Sequence, residues 1–577
     1  MKKRWKVQER ASQELLNIFP EIDPLLVSLL VHRGVVDQKD VEVFLNPDYV
    51  NDTHNPFLFK DMKKSVDRIF HAIEHNEKIV VHGDYDADGV CSSAVLAGTL
   101  KDLGADVEVY LPHREKEGYG VNIHTVKYLI EKGTQLIITV DCGTANIEPI
   151  EYAQSQGVDV IITDHHHVPE VTPQSFALIN PQNSNDTYPF GYLCGCGVAF
   201  KVSQALYQTD QKSGASKLAQ GYDKWLLDLV AIATIADMMP LRDENRVLVK
   251  YGLIVATKTK RIGLKKLLEH SGVWAEGERE ITPFDVGFVI GPRINAAGRM
   301  DHSNVAYYLL STDDSREAER HVTEIEKTNQ ERRDITERIV QEVFELVPDA
   351  DDKNLVFAYG GDRGWPIGLA GLVAGKVQNE VGKPVLVVTK LEDRIAGSGR
   401  SPDGFDLAQI LEDNKELFTT AGGHAQACGF SLEVNEDLLR QVQGVFERRA
   451  DEELEGKDMR PFLEIECELQ PSEITWKLYD LVQQLKPFGK ENPEPVFVVR
   501  DLEVEDARGV GQQEKHLKLK VRDAKTLKSF NAIAFNYGEY AEKLVPGQKI
   551  DLACTIDVNE WNGNRELQLK VEDIAIV

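Results

Sequence analysis

The stretch Val80-Val81-His82-Gly83-Asp84-Tyr85-Asp86-Ala87-Asp88-Gly89-Val90 places an imidazole and three alternate carboxylates in a turn that follows the β-branched run Ile79 to Val81. The pattern predicts a strand that ends in oxygen and nitrogen ligands, then a helix over 91–100. Such a donor set suits a divalent cation. An EF-hand calcium loop starting at Asp84 would need a bidentate Glu at its twelfth position, where Val95 stands, and a helix rather than a strand before it. A solvated acidic turn is the competing reading, and the rest of the chain decides against it.

Three further apolar segments end in the same chemistry. Leu136-Ile137-Ile138-Thr139-Val140 runs into Asp141-Cys142-Gly143-Thr144, and Val160-Ile161-Ile162-Thr163 runs into Asp164-His165-His166-His167. The segment 226–236 runs into Asp237-Met238-Met239-Pro240-Leu241. Each alone reads as a helix cap or a partly buried side chain. Together they read as one site.

From Met62 the pattern alternates helix and strand, with strands predicted over 78–82, 107–111, 136–141 and 158–164. This is the signature of a mostly parallel, doubly wound α/β sheet, whose ligands bind outside the carboxyl ends of the strands. Residues 1–50 read as an N-terminal helical segment, with helices over 14–18 and 24–32 serving as a lid or packing piece of the first domain. A charged segment over 315–347 carries Val322, Ile325, Ile335, Ile339, Val343 and Leu346 on one helical face and reads as a connector between two lobes. A smaller α/β unit follows, with strands over 354–359 and 384–389 around a helix over 369–380.

From Pro461 the strands are short and separated by turns, as in a five- or six-stranded OB-like barrel. In Lys515-His516-Leu517-Lys518-Leu519-Lys520-Val521-Arg522, period-two alternation puts His516, Lys518, Lys520 and Arg522 on one face. That face reads as a groove tracking a nucleic-acid backbone.

Composition bounds these readings. The chain has 577 residues, too many for a single core. Its 66 Lys plus Arg against 94 Asp plus Glu give a formal charge of -28, which argues against nonspecific coating of nucleic acid. A narrow basic channel remains compatible, since fields are screened over about 8 Å at physiological salt. Seven cysteines form no CxxC pair, and Cys194-Gly195-Cys196 lacks a second zinc half-site, so they read as packing thiols of a cytoplasmic protein. Polar residues rather than an apolar core follow the basic N-terminus, and the apolar runs fall short of the roughly 20 residues of a spanning helix. A soluble protein is expected.

The motifs His82-x-Asp84-x-Asp86-x-Asp88-Gly89, Asp141-Cys142-Gly143, Asp164-His165-His166 and Ile235-Ala236-Asp237 resemble those of the DHH phosphoesterase superfamily. Their order and surroundings resemble its single-strand-specific exonuclease branch, the RecJ family, over nearly the whole chain. Tyr188-Pro189-Phe190 with Leu193-Cys194-Gly195-Cys196-Gly197, and Gly291-Pro292-Arg293-Ile294-Asn295-Ala296-Ala297-Gly298-Arg299-Met300, are the more specific matches. Arg394 to Ser401 and Ala421 to Gly429 are similar to the DHH-associated (DHHA1) domain. Two departures stand out: Pro366 where the family shows His, and Glu491 where Gly is usual in Phe488-Gly489-Lys490-Glu491-Asn492-Pro493.

The resemblance implies an N-terminal segment over 1–50, a DHH catalytic domain over 51–311, a connecting helix over 312–349, a DHHA1 domain over 350–455 and an OB-fold-like domain over 456–577. It implies two divalent cations, Mn2+ preferred and Mg2+ accepted, one on His82, Asp86 and Asp141 and the other on Asp88, Asp141, His165 and Asp237. Two such ions activate and orient a water for in-line attack on phosphorus. Asp84 and Asp164 are expected to support catalysis by orienting ligands, and His166 to donate to a phosphate oxygen. Arg114, Asn295, Arg299, Ser398, Arg400, His424, Lys518 and Lys520 are the expected phosphate or DNA contacts.

The implied function is a 5′-to-3′ exonuclease on single-stranded DNA that releases 5′-mononucleotides in repair and recombination. It would act as a monomer, with a helicase or single-strand-binding protein as partner and no membrane. Competing readings are a DHH phosphodiesterase acting on short RNA or cyclic dinucleotides, a family II pyrophosphatase and a non-catalytic replication scaffold. The barrel favours the first reading over the small-substrate enzymes, and the complete ligand set favours it over the scaffold.

Overall fold

The structure, a computed structural model, describes residues 3–577 apart from 114–116, 119, 274–278, 301–303, 351–352 and 562. The chain forms two compact units: one of Val35–Glu331 with Leu485–Pro493, the other of Met1–Gly34, Arg332–Gln484 and Glu494–Val577.

The N-terminal segment departs from its expected place. It opens with a strand, β1 (Arg4–Val7), and residues through Gly34 belong to the unit that holds the C-terminal strands, not to the DHH-like unit. Pairing explains this. β1 runs parallel to β12 (Phe462–Ile465), and Trp5 donates its indole N–H to Asp573 at 2.8 Å. His32 and Arg33 meet the buried Glu466 carboxylate at 2.6 and 2.9 Å. A buried carboxylate without such partners is costly, so they draw the segment there.

In the DHH-like unit, five parallel strands, β2 (Lys78–Gly83), β3 (Asp106–Tyr110), β4 (Leu136–Val140), β5 (Asp159–Thr163) and β6 (Ala177–Ile179), lie in the order β3-β2-β4-β5-β6. β4 is buried throughout and β2 and β5 almost so, as their unbroken Val/Ile runs require in a sheet covered on both faces. Connections leave β2 and β4 in opposite directions, so the crevice at their carboxyl ends is the switch point. The Tyr188-Pro189-Phe190 motif is structural: Tyr188 stacks on Phe59 at 3.9 Å and its hydroxyl donates to Glu244, which pairs with the equally buried Lys201.

In the other unit, β7 (Val356–Tyr359), β8 (Val385–Lys390), β9 (Ile395–Arg400), β10 (Thr420–His424) and β11 (Ala427–Leu432) form a sheet in the order β10-β11-β9-β8-β7. The glycine-rich segments are therefore strands. β13 (Cys467–Glu468) leads to β14 (Phe497–Val510), β15 (His516–Asp523), β16 (Ser529–Ala534), β17 (Lys549–Trp561) and β18 (Asn564–Ile576). Pairing of β14 with both β15 and β17 closes these last five strands into a barrel. A 32-residue helix spans Ser315–Leu346. Among the described residues no helix is long and apolar enough to cross a membrane.

Candidate metal centre

The carboxyl ends of β2, β4 and β5 and the end of the helix Leu227–Ala236 deliver Asp84, Asp86, Asp141, His165, His166 and Asp237 to one cavity of about 260 Å³. Asp86 caps the helix Ala87–Asp102, its Oδ1 accepting from the amides of Asp88 and Gly89 at 2.9 and 3.1 Å. Asp88 is held by the amides of Gly195 and Cys196, at 2.6 and 2.7 Å, at the start of the helix Gly195–Lys212. Asp141 sits just past β4 with φ at 61°, a left-handed conformation that Asp tolerates better than most residues. Strain of this kind concentrates at functional sites.

The ligand atoms form three overlapping groups, each within 4.8 Å: Asp84, Asp86 and Asp141; Asp88, His165 and Asp237; and Asp141, His165 and His166. His165 Nε2 lies 3.1 Å from Asp141 and 3.6 and 3.7 Å from Asp88 and Asp237. Asp141 belongs to the first and third groups, and His165 to the second and third. His82 and Asp84 depart from their expected places: Asp84 joins Asp86 and Asp141, and His82 belongs to none of the groups. The His82 ring is fully buried against Tyr110, with Nδ1 3.8 Å from Cys142 Sγ and Nε2 without a hydrogen-bond partner. The reason is geometric, since His82 lies within β2 whereas Asp84 lies beyond its end.

Electrostatics mark the cluster as incomplete without a cation. Burial, then the charges of Asp88 and Asp86, push Asp141 well above the usual carboxylate range. Burial and the same two neighbours lift Asp237 to about 8, and burial with Asp86 lifts Asp88 to about 7. Burial lowers His165 and His82 to about 4, leaving both imidazoles neutral and able to bind a metal. This mixed oxygen and imidazole set, packed with like charges, fits Mn2+ or Mg2+.

His166 is different. Burial opposes its charge, but Asp164, 2.8 Å from Nδ1, raises it to about 9. Asp164 stays far below the usual range despite burial, because His166 and the Thr144 amide donate to it.

Supporting residues that sequence reading missed lie just beyond β6. Asn180, wholly buried, donates to His166 O at 2.9 Å and Thr144 Oγ1 at 3.1 Å, and Gln182 donates to His165 O at 2.5 Å. The available signal was another short apolar run ending in a polar residue. Asn295 and Arg299 line the cavity from the helix Gly291–Met300. Asn295 also accepts from Ala87 N at 2.8 Å, and Gly298 lies so close to Tyr85 that a Cβ there would meet Tyr85 O at 2.2 Å. That contact explains one glycine of the motif.

The remaining expected contacts lie elsewhere. Arg114 falls outside the described residues. In the other unit, Arg400 reaches Ser398 Oγ at 3.3 Å on β9, and His424 is exposed at the end of β10. Of the barrel lysines, Lys520 pairs with Glu505 at 3.1 Å, and neighbouring Arg522 pairs with Glu503 at 3.2 Å. Lys518 stands opposite Arg508, on β14, and Ile533, on β16.

Comparisons with known proteins agree with this architecture. The DHH family N-terminal domain matches residues 78–234, the DHHA1 domain 352–448 and the RecJ OB domain 465–573. The single-stranded-DNA-specific exonuclease RecJ of Bacillus subtilis (strain 168) is 37% identical over 584 residues, covering 100% of this chain and 71% of the relative. The chain belongs to the RecJ family. Among solved RecJ structures, that of Thermus thermophilus in complex with Mn2+ aligns with a TM-score of 0.81 at 27% identity, covering 99% of this chain and 79% of the other. Its Mg2+ complex aligns at 0.76 with 27% identity, covering 99% and 78%. The metals named for these RecJ proteins are the ones the donor set here suits.

Proposed function

We propose that this RecJ-family protein is a metal-dependent exonuclease that degrades single-stranded DNA from its 5′ end to 5′-mononucleotides. The observation that carries the proposal is the crowded, mutually repelling set of Asp84, Asp86, Asp88, Asp141 and Asp237, with His165 among them, at the switch point of the sheet. Asp84, Asp86 and Asp141 would hold one cation, and Asp88, His165 and Asp237 the other, with Asp141 shared. When bound, the cations supply Lewis acidity that activates water and offsets phosphate charge.

The chain's own residues would do the rest. His166, kept cationic by Asp164, donates to a nonbridging phosphate oxygen. Asn295 secures the Asp84–Asp88 turn, and Arg299 offers its guanidinium to phosphate from the same helix. Arg114, Ser398, Arg400 and His424 are proposed as phosphate contacts, and Lys518 and Lys520 as contacts to the single strand. The working unit is taken as a monomer, since one chain supplies every ligand in the three groups, with a helicase or single-strand-binding protein delivering the strand. A cytoplasmic location would keep its seven cysteines, all unpaired and buried, reduced.

Incubation with Mn2+ and a long 5′-phosphorylated single strand, beside a blunt duplex and a cyclic dinucleotide, tests this reading. Mononucleotides should appear from the single strand alone. Hydrolysis of only the dinucleotide would overturn it.

A further inference from the structure

The loop that follows Asp237 is held by a segment from a distant part of the sequence. At its near end, the amides of Met238 and Met239 donate to Ile235 O and Thr234 O at 3.1 and 3.0 Å, and Met238 is left-handed with φ at 57°. At its far end, Asn245 donates to Pro240 O at 3.1 Å, and the amide of buried Leu241 donates to Lys490 O at 2.8 Å. Lys490 belongs to Leu485–Pro493, which packs in the DHH-like unit although the chain on both sides of it belongs to the other unit.

The segment is built to stay in place. Arg246, buried in the helix Asp243–Thr257, donates to the carbonyls of Leu485 and Lys486 at 3.0 and 2.8 Å, and also to Phe44 O at 2.8 Å. Asn492, wholly buried, closes the turn with bonds to Leu485 O and Pro487 O, both at 2.8 Å. Gly489 lies against Leu241, where a Cβ would meet Leu241 Cδ1 at 2.6 Å. Glu491 is left-handed with φ at 59°, which accounts for Gly being usual there, and it pairs with Arg242 at 3.2 Å.

From this juxtaposition we infer that Leu485–Pro493 is a strap that positions Asp237 for the metal, with Arg246 and Asn492 as its positioning residues. Without the strap, the Leu241 amide would be buried and unpaired, so the loop would relax and carry Asp237 with it. Partners bonded directly to a metal ligand are worth about tenfold to a hundredfold in metal affinity, and the strap, which acts on Asp237 through Leu241, belongs at the lower end of that range. The inference rests on the proposed metal centre.

The test is Mn2+ titration of the full-length protein without DNA, followed by electron paramagnetic resonance, with kcat and KM on single-stranded DNA measured in parallel. Asn492→Ala should weaken Mn2+ binding by about tenfold or more and lower kcat at subsaturating Mn2+, while KM for DNA and the circular dichroism spectrum stay as in the wild type. Excess Mn2+ should restore kcat. Glu491→Gly, which removes the ion pair and relieves the backbone but leaves the strap, should bind Mn2+ as the wild type does. Should Asn492→Ala fail to fold, Gly489→Ala, which presses the strap away from Leu241, decides by the same readout. Unchanged Mn2+ affinity in the folded strap variant would overturn the inference. Asp141→Ala separates the two levels: if it loses Mn2+ binding while the strap variant does not, the strap alone is refuted. If Asp141→Ala also binds normally, the metal centre itself is wrong.

Discussion

Two stretches of this chain alternate charged residues in the same way and end in opposite situations. Asp84, Asp86 and Asp88 are gathered with Asp141 and Asp237, so that burial and mutual repulsion raise the carboxyls of Asp88, Asp141 and Asp237. In the barrel, Lys520 and Arg522 also alternate along a strand, but Glu505 and Glu503 on β14 answer them. The first pattern gathers like charge that bound protons or a cation must offset, and the second is largely neutralised by its own sheet. An alternation therefore has meaning only with its neighbours in view. The basic face predicted for β15 narrows to Lys518, since Arg508 across the strand pair is itself paired with Asp506 at 3.8 Å.

The largest effect should come from the shared carboxylate. Asp141→Ala is expected to lower Mn2+-dependent hydrolysis by at least about a hundredfold to a thousandfold, with circular dichroism unchanged. Near-normal activity in that variant would remove the distinction between the two stretches.

Next comes the linkage of charge to stability. Asp237 and Asp88, with carboxyls at about 8 and about 7, hold protons in the folded state that the unfolded chain releases near pH 4. The folded state therefore binds more protons over that window, and stability of the metal-free protein should fall as pH rises toward 8. Urea unfolding after chelation, at pH 6 and pH 8, should show a lower midpoint at pH 8, and Mn2+ should recover more there. An equal fall with and without Mn2+ would count against a cation in the cluster.

The smallest effects belong to the barrel. Lys518→Ala should weaken single-strand binding and lower the slope of log affinity against log salt by about 1. Lys520→Ala should change that slope less, and Glu505→Gln should strengthen binding by freeing Lys520. Fluorescence anisotropy across a salt series distinguishes these, and equal losses for the two lysines would make the ion pair irrelevant.

Much of the architecture was legible because its signals are local. The unbroken Val/Ile runs of β2, β4 and β5 announce a covered parallel sheet, and acidic and imidazole residues beyond those runs line the shared cavity. The run Ala177–Ile179 is three residues long, a weak strand signal, so Asn180 beyond it is weakly marked. The place of the N-terminal residues is not legible locally, because β1 pairs with a strand more than 450 positions away, a separation on which local pattern is silent.

By itself, the sequence determined which residue types end which strands, and hence that a divalent cation belongs here, while phosphate chemistry entered through the family resemblance of the motifs. Period and residue type are properties of a few neighbouring positions. Only the tertiary structure decided that Asp84 rather than His82 joins Asp86 and Asp141, that Lys520 is answered by Glu505, and that Leu485–Pro493 holds the loop of Asp237. Those outcomes depend on distances between residues remote in the chain, and burial then sets the charge each one carries.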